Sequence, residues 1–416
     1  MRARPAAVAV AALLALAVAT PAHAATPSPP AATAAAGAPS LSAPEAILVE
    51  PATGDVVYQR RASARRPIAS TTKLMTALLL LEHRRLTDHI TAVPYHALPA
   101  ESIAGLHAGE RLTVADMLRA LLLASANDAA AAIAVNVGGS ERRFVRMMNA
   151  RARSAGLRNT HYGNPIGLDS AANYSTATDL VKLALLLRRN AFARRVMDSP
   201  KAVLHSGDHV RVLENRNTLV AEVPWMNGVK TGHTNTAGYI LVGSASRGGV
   251  PLVSAVLGTP SEDARNADTL ALMRYGFAHY TRAQPLVAGG TVTTLPVDGR
   301  SARARIVALH TLRVVIRRGE RLRTRLAGLP RQLTGPLAAG THVGTADVVR
   351  RGRVVASTPL VTATAVAQAS FWHRNAWAAP TLGLLAFCAI GAALAGTLRG
   401  GRWRRAAGRG HRSEIA

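Results

Sequence analysis

The stretch RRPIASTTKLMTALLL, residues 65–80, constrains the fold of this chain more than any other. From Ser70 to Arg84 the pattern is helical and apolar on nearly all sides, which predicts a helix buried in the middle of a domain. Ser70 and Lys73 stand at the head of this run. Because residues three apart on a helix share a face, the serine hydroxyl and the lysine amine are expected to point into one space.

The Ser70–Lys73 pair has two interpretations. Ser70 could be an ordinary helix N-cap beside a solvated lysine. Alternatively, Ser70 is a nucleophile and Lys73 its base, which requires that burial and a second nearby cation lower the lysine pKa. The positive end of the helix would then favour a developing oxyanion. Ser-x-x-Lys occurs by chance in most long sequences, so the pair alone leaves both interpretations open.

A second group of polar residues interrupts the apolar segment LLLASANDAAAAIA. Ser125, Asn127 and Asp128 would cost free energy if they were buried without hydrogen-bond partners. We therefore expect them to cap a helix that points into a cleft.

A third group lies in NGVKTGHTNTAGYILVG, just before a predicted strand. Lys230, Thr231 and Thr234 offer donors to a carboxylate, and His233 lies between them. Gly232 would let a substrate backbone approach the strand edge closely. This segment is predicted to form the binding edge of the site.

The three motifs occur in the order S-x-x-K, S-x-N and K-T-G, and the ordered trio is far more specific than any one of them. With NPIGLD (164–169), YSTATDL (174–180) and NTL (217–219), they make the chain resemble the serine-type D-alanyl-D-alanine carboxypeptidases, the low-molecular-mass penicillin-binding proteins. The likeness covers about residues 45–280, and the region after it resembles the C-terminal module of that family less specifically.

The resemblance implies a role for each motif. Ser70 would be the acylated nucleophile and Lys73 its general base, while Ser125 relays a proton and Asn127 holds the substrate amide. In the third motif, the expected substrate-binding residues are Lys230, Thr231, Gly232, His233 and Thr234: the lysine and the two threonines for the terminal carboxylate, and the His233 N–H with that of Ser70 for the oxyanion hole.

The implied reaction removes the terminal D-alanine from the stem peptide of peptidoglycan through an acyl-enzyme on Ser70. A β-lactam would acylate the same serine and leave slowly. No cofactor and no metal are expected, because the 14 histidines are dispersed and no clustered ligand spacing occurs.

Two other functions share parts of this pattern. A class A β-lactamase has a deacylating glutamate with an asparagine four residues later, whereas here the residues four positions after Glu141, Glu214 and Glu222 are Val145, Thr218 and Met226. A catalytically inactive cell-wall-binding homologue would retain the fold, but intact Ser70, Lys73 and Lys230 argue against it.

The predicted fold class is mixed α/β. It comprises a penicillin-binding/β-lactamase-like transpeptidase domain, an antiparallel sheet covered by helices, followed by a small all-β domain and one transmembrane helix. The expected segments are a signal peptide at 1–24, a Pro/Ala-rich linker at 25–44, the catalytic domain at 45–282, the β domain at 284–368, a transmembrane helix at 376–398 and a basic cytoplasmic tail at 399–416.

Both ends of the chain indicate export and anchoring. Arg2 and Arg4 precede an apolar run and the small-residue site AHA, which is typical of a secretory signal. Residues 375–398 carry no charge and are long enough for a bilayer core of about 30 Å. The tail after them contains six arginines and one acid, Glu414, which favours a cytoplasmic tail and an extracellular catalytic domain.

The net charge of +27 does not predict nucleic-acid binding, because the arginines are scattered and aromatic residues make up only 4% of the chain. An anionic envelope polymer or lipid surface is the more plausible partner of that charge. The single cysteine, Cys388, excludes an intramolecular disulfide.

Overall fold

The structure, a computed structural model, describes residues 37–368 and 378–406, with side chains of the second stretch described for 380–394. The predicted signal peptide at 1–24, the linker as far as residue 36 and the tail beyond residue 406 lie outside the described residues.

The described strands are β1 Glu45–Glu50, β2 Asp55–Arg60, β3 Arg66–Pro67, β4 His89–Thr91, β5 Arg111–Thr113, β6 Tyr174–Ser175, β7 Lys201–Leu204, β8 Arg211–Glu214, β9 Met226–Thr234, β10 Gly238–Arg247, β11 Val250–Thr259, β12 Tyr280–Leu286, β13 Thr291–Pro296, β14 Arg303–Ala308, β15 Leu312–Arg317, β16 Arg323–Ala327, β17 His342–Arg350 and β18 Arg353–Thr362. The described helices are α1 Lys73–His83, α2 Val114–Leu122, α3 Asn127–Gly138, α4 Glu141–Ser154, α5 Ala177–Leu187, α6 Ala191–Met197, α7 Leu219–Glu222, α8 Glu262–His279 and α9 Ala378–Ala406.

The first domain is built on a five-stranded antiparallel sheet in the order β2-β1-β11-β10-β9. Strand β11 shows why the sheet is covered on both faces. Val253, Ala255 and Leu257 join the core beneath helices α1–α6, whereas Leu252 and Val256 join the core beneath α8. Because successive side chains of a strand point to opposite faces, a nearly continuous apolar strand requires cover on both sides.

Helix α1 is the buried central helix that the sequence predicts. All residues from Lys73 to Leu80 are buried, including the lysine. The start of the helix differs from the expectation, because Ser70 lies in a separate 3₁₀ turn, Ala69–Thr72, that leads into α1. This tighter turn sets the nucleophile candidate just outside the regular helix.

The second region, from β12 to β18, is all β. Its main sheet has the order β13-β14-β18-β17-β16, and β12 pairs with β15 in a separate two-stranded sheet. Leu295, Ile306, Ala346 and Leu360 belong to its own small core. This region begins immediately after α8, because the first residue of β12 follows His279.

The predicted transmembrane helix is not confirmed. In the described part of the chain no helix is both apolar enough and long enough to cross a membrane. Helix α9 covers most of the predicted span and continues through Arg399 into the arginine-rich sequence after it.

Candidate active site

Lys73 and Ser70 are in direct contact. The Lys73 Nζ lies 2.9 Å from Ser70 Oγ, 2.6 Å from Asn127 Oδ1 and 2.7 Å from the backbone oxygen of Ile166. An ammonium group has three N–H donors, which these three oxygens can accept. In the neutral amine, two N–H bonds can go to Asn127 and Ile166, which leaves the nitrogen lone pair facing the Ser70 hydroxyl.

The environment of Lys73 favours that neutral form. Lys73 is completely buried, and burial together with the charge of Lys230 lowers its pKa well below the ordinary lysine value of 10.5. Glu101 and Asp128 act in the opposite direction. The hydrogen-bond acceptors in contact with Nζ are a hydroxyl, an amide and a carbonyl oxygen, none of which carries a formal charge.

The segment NPIGLD closes over the nucleophile from one side. Asn164 Oδ1 accepts hydrogen bonds from the N–H groups of Ile166 and Gly167, at 3.1 and 2.6 Å. Gly167 has a φ of +100°, and a Cβ there would lie 2.1 Å from the Ala69 oxygen. Only glycine can hold this loop so close to the 3₁₀ turn, which explains the glycine in the motif.

Strand β9 approaches the nucleophile from the other side and forms the edge of the sheet. A Cβ on Gly232 would lie 3.3 Å from the Ser70 nitrogen, so the strand passes very near the turn. Lys230 is 1% exposed and its Nζ donates to the Thr231 oxygen at 3.0 Å. Burial and the charges of Arg216 and Arg265 lower the pKa of Lys230 to about 7.

The last residue of the third motif is tied to the NPIGLD segment. Thr234 Oγ1 donates to Asp169 Oδ1 at 2.7 Å and accepts from the N–H of Ala237 at 3.1 Å. This hydroxyl therefore links the two walls of the site.

Two cavities meet at Ser70, and they differ in character. One, of about 310 Å³, is lined by Ser70, Glu101, Asn127, Leu168, His233 and other residues. The other, of about 250 Å³, contains more charge; its lining includes Ser70, Ser125, Arg216, Thr231, Gly232, His233, Glu262 and Arg265. Seven of the nine residues predicted for the site line one or both of these cavities, with Thr234 in the first. An eighth, Lys73, contacts Ser70 directly. The ninth, Lys230, lies buried beside Thr231.

The second motif does not act as the helix cap that was predicted. The N-cap of α3 is Ala126, which makes no side-chain capping hydrogen bond. Asn127 instead bonds to Lys73, and Asp128 accepts from the N–H groups of Ala104 and Leu106, each at 3.0 Å at its shortest. These buried polar groups find their partners on other segments, so their burial cost is met by tertiary hydrogen bonds.

Ser125 is held in an unusual backbone conformation. Its φ is +63°, and Ala69, next to Ser70, has a φ of +45°. Non-glycine residues in the left-handed region cost about 1–3 kcal/mol each and persist where the surrounding structure enforces them. The strain places both serines at the rim of the same cavity.

Sequence reasoning missed four charged residues of the site: Glu101, Arg216, Glu262 and Arg265. Arg265 is 3% exposed and its Nη2 donates to Glu262 Oε1 at 2.5 Å. None of the four belongs to a local motif. A signal was present only for Arg265, which lies four and seven residues before Thr269 and Leu272 and therefore on the buried face of α8.

No group in the described cavities has the ligand set of a metal centre. The described residues contain one cluster with ligand atoms within 4.8 Å of one another, His107, Glu110 and Asp208, and it lies outside both cavities. Both oxygens of Glu110 accept from Arg211, at 2.7 and 2.8 Å. That carboxylate is already neutralised by an arginine.

The arrangement has the parts needed for acyl transfer. It combines a serine hydroxyl, a buried amine whose pKa is lowered, and a cationic cavity beside them. A nucleophile in contact with a neutral base is the requirement for a covalent acyl intermediate, and the adjacent cations suit a substrate that ends in a carboxylate.

Comparison with known proteins gives the same reading. The profile of the D-alanyl-D-alanine carboxypeptidase family, peptidase family S11, matches residues 32–261, and that of the penicillin-binding protein 5 C-terminal domain matches residues 280–368. D-alanyl-D-alanine carboxypeptidase DacA of Escherichia coli is 31% identical over 357 residues, which cover 81% of this chain and 87% of that protein. DacF of Bacillus subtilis is 29% identical over 338 residues, covering 79% and 87%.

A solved structure agrees with these sequence relationships. The crystal structure of the D-alanyl-D-alanine carboxypeptidase DacD from Francisella tularensis superimposes with a TM-score of 0.58 at 25% identity, over 82% of this chain and 97% of that one. The predicted penicillin-binding-protein-like α/β domain and the β domain after it are thus confirmed. The chain belongs to the S11 family of serine-type D-alanyl-D-alanine carboxypeptidases.

Proposed function

We propose that Ser70 is the residue of this carboxypeptidase that becomes acylated, with Lys73 as its base. The single observation that carries the proposal is the Lys73 environment: a buried amine of lowered pKa, 2.9 Å from Ser70 Oγ, whose two other contacts are uncharged oxygens. Its lone pair is directed at the hydroxyl proton.

The reaction proceeds in two steps. Ser70 Oγ attacks the carbonyl carbon of the penultimate D-alanine while its proton moves to Lys73 Nζ, and the C–N bond to the terminal D-alanine then breaks. The leaving amine takes up the proton that Lys73 received, and we assign Ser125, which lines the same cavity as Ser70, as the relay. Water then hydrolyses the ester and restores the Ser70 hydroxyl.

The cationic cavity is assigned to the terminal carboxylate of the stem peptide. Thr231 lines it together with Arg216 and Arg265, and Lys230 lies buried behind it. Arginine suits a carboxylate because its planar guanidinium can donate two parallel hydrogen bonds. The larger cavity, which contains Asn127 and Thr234, would hold the peptide on the acyl side of Ser70.

The function is tested with the full-length protein and a peptide that ends in D-alanyl-D-alanine. We expect release of D-alanine by the wild type and none above background by Ser70→Ala. Benzylpenicillin should add its mass once to the wild type, and peptide mapping should place it on Ser70. Rapid turnover of penicillin without peptide hydrolysis would indicate a β-lactamase instead, and absence of both reactions would indicate an inactive homologue.

The location at the membrane is also part of the proposal. It is supported by the uncharged stretch 375–398, by the arginines after it, and by the exposed apolar side chains of Leu384, Leu385 and Phe387 on α9. A single span at 376–398 would leave the catalytic domain outside the cell, where peptidoglycan is. Protease added to intact cells should digest the domain, and protection until lysis would contradict this orientation.

A further inference from the structure

Glu101 lies in the loop between β4 and β5, outside the three sequence motifs, yet it reaches the base through one residue. Asn127 Nδ2 donates to Glu101 Oε2 at 2.7 Å, while Asn127 Oδ1 accepts from Lys73 at 2.6 Å. The Tyr95 hydroxyl donates to the same Glu101 oxygen. A continuous chain of hydrogen bonds therefore runs from Tyr95 through Glu101 and Asn127 to Lys73.

The chemistry of these groups permits one orientation of the Asn127 amide. A carboxylate only accepts hydrogen bonds, so the amide must turn its NH₂ group toward Glu101. Its oxygen then has to face Lys73. Burial alone would raise the pKa of Glu101, but the hydrogen bonds from Tyr95 and Asn127 keep it below 4.5, so this acceptor stays ionised at neutral pH.

The loop that carries Glu101 is held in place by the first turn of α3. The backbone N–H of Asn127 donates to the Ser102 oxygen at 2.8 Å. The carboxylate of Asp128 accepts hydrogen bonds from the N–H groups of Ala104 and Leu106. The loop that carries Glu101 is thus fixed to the start of α3 by hydrogen bonds of two adjacent residues, Asn127 and Asp128.

The reversed amide would harm the reaction. With NH₂ toward Lys73, the amide would donate a hydrogen bond to the lone pair of the neutral amine. That lone pair is the group that must take the proton from Ser70. The amide and the serine would then compete for it, and one N–H of Lys73 would lose its acceptor.

On the basis of the function proposed above, we propose that Glu101 is a positioning residue that locks the Asn127 amide oxygen toward Lys73, so that the Lys73 lone pair stays available to Ser70. Its negative charge has a second, opposing effect. Three charged groups face Lys73: Lys230 from β9, Asp128 from α3, and Glu101 from the loop. Glu101 favours the protonated amine, whereas Lys230 disfavours it.

Two variants separate orientation from charge. Glu101→Gln removes the charge but keeps a side-chain oxygen that can accept from Asn127 and Tyr95, whereas Glu101→Ala removes both the charge and the acceptor. The measurement is the second-order rate of acylation by benzylpenicillin as a function of pH, with the full-length protein. Glu141→Gln, an exposed glutamate on α4 outside both cavities, removes the same charge far from Ser70 and serves as the control.

We expect Glu101→Ala to lower the maximal acylation rate about tenfold, because the base is no longer held in position. Glu101→Gln should lose less of the maximal rate than Glu101→Ala, because its amide oxygen can still accept from Asn127, and should move the acidic limb of the profile to lower pH by about one unit or less. Both variants should fold, since Glu101 is only half-buried in a loop.

The wild-type acylation rate distinguishes failure of the Glu101 proposal from failure of the proposed function. If the wild type is not acylated at all, the assignment of Ser70 and Lys73 fails. If the wild type is acylated and Glu101→Ala matches it in rate and pH profile, the positioning role of Glu101 is refuted. An acidic limb that moves to higher pH in Glu101→Gln would also contradict it, because the charge of Glu101 would then not act on Lys73 as proposed.

Discussion

Buried positive charge occurs in several parts of this molecule, and two of them treat it differently. In the active site, Lys73 contacts only uncharged oxygens and its pKa is lowered. At the junction between the catalytic domain and the β domain, Arg350 is 7% exposed but bonds to two carboxylates, Asp55 at 2.8 Å and Glu320 at 2.9 Å.

The difference lies in the partners rather than in the burial. Burial acts to lower the pKa of Arg350 as well, but its hydrogen bonds to Glu320 and Asp55 raise it overall. A buried cation with a carboxylate in contact stays charged and joins two domains. A buried amine whose direct contacts are neutral can lose its proton, and it can then serve as a base.

The largest expected effect concerns the base itself. Lys73→Arg keeps a positive charge but cannot be deprotonated in a protein, so acylation by benzylpenicillin should slow by about 10² to 10⁴-fold. The rate is followed by mass spectrometry. Lys182→Arg, on the half-exposed face of α5, makes the same exchange away from the site and should acylate at the normal rate. Near-normal acylation of Lys73→Arg would mean that Lys73 acts only as a charge.

Lys230→Gln should have the next largest effect. Loss of a charged donor beside the cationic cavity is expected to lower kcat/KM for a D-alanyl-D-alanine peptide about 10 to 100-fold. Lys230 also repels the protonated form of Lys73. In the Lys230→Gln variant the Lys73 pKa therefore rises, and the acidic limb of the kcat/KM profile moves to higher pH. The shift is confined to the range below about 7, where Lys230 itself is protonated. A limb that moves to lower pH would contradict this electrostatic account.

At the junction, the expected effect is on stability. Arg350→Met leaves Asp55 and Glu320 without their buried partner and should lower the free energy of unfolding by about 2 kcal/mol, less than for a fully buried pair because both acids keep some contact with water. Arg351→Met is the matched control. Arg351 contacts the same two acids, Asp55 at 3.2 Å and Glu320 at 2.7 Å, but is 57% exposed, so its loss should cost less than about 1 kcal/mol.

Urea denaturation monitored by circular dichroism measures both variants, and the carboxypeptidase rate should be unchanged in each. Equal losses of stability in Arg350→Met and Arg351→Met would show that burial does not distinguish the two arginines.

The smallest effect is the pH dependence of the junction. Burial would raise the pKa values of Asp55 and Glu320, but hydrogen bonds from Tyr280 and Arg350 to Asp55, and from Arg350 to Glu320, hold them below 3.8 and 4.5. A carboxylate whose pKa is lower in the folded than in the unfolded chain stabilises the fold at pH values above its unfolded pKa. This contribution is lost as the pH falls through its folded pKa. The stability difference between wild type and Arg350→Met should therefore shrink below about pH 4. A difference that is constant from pH 7 to pH 3 would exclude this linkage.

The comparison also shows which parts of the site could be predicted from the sequence. Ser70 and Lys73 are three residues apart, so their contact follows from local geometry, and the burial of α1 follows from its apolar composition. The strands β10 and β11 follow from their apolar runs and the turn between them. The helical cap predicted for Ser125, Asn127 and Asp128 was wrong, because their partners are on segments that the local pattern does not reveal.

By itself the sequence determined the nucleophile and base candidates, the order of the three motifs, and the nearly continuous apolar strands that require cover on both faces of the sheet, since all of these can be recognised along the chain. Only the tertiary structure decided which charges surround Lys73. Glu101, Lys230 and Asp128 come from a loop, a strand and a different helix, and their effect on one amine depends on distances of a few ångströms across the fold. Electrostatic interactions act through space, so a pKa is a property of the folded chain rather than of a motif.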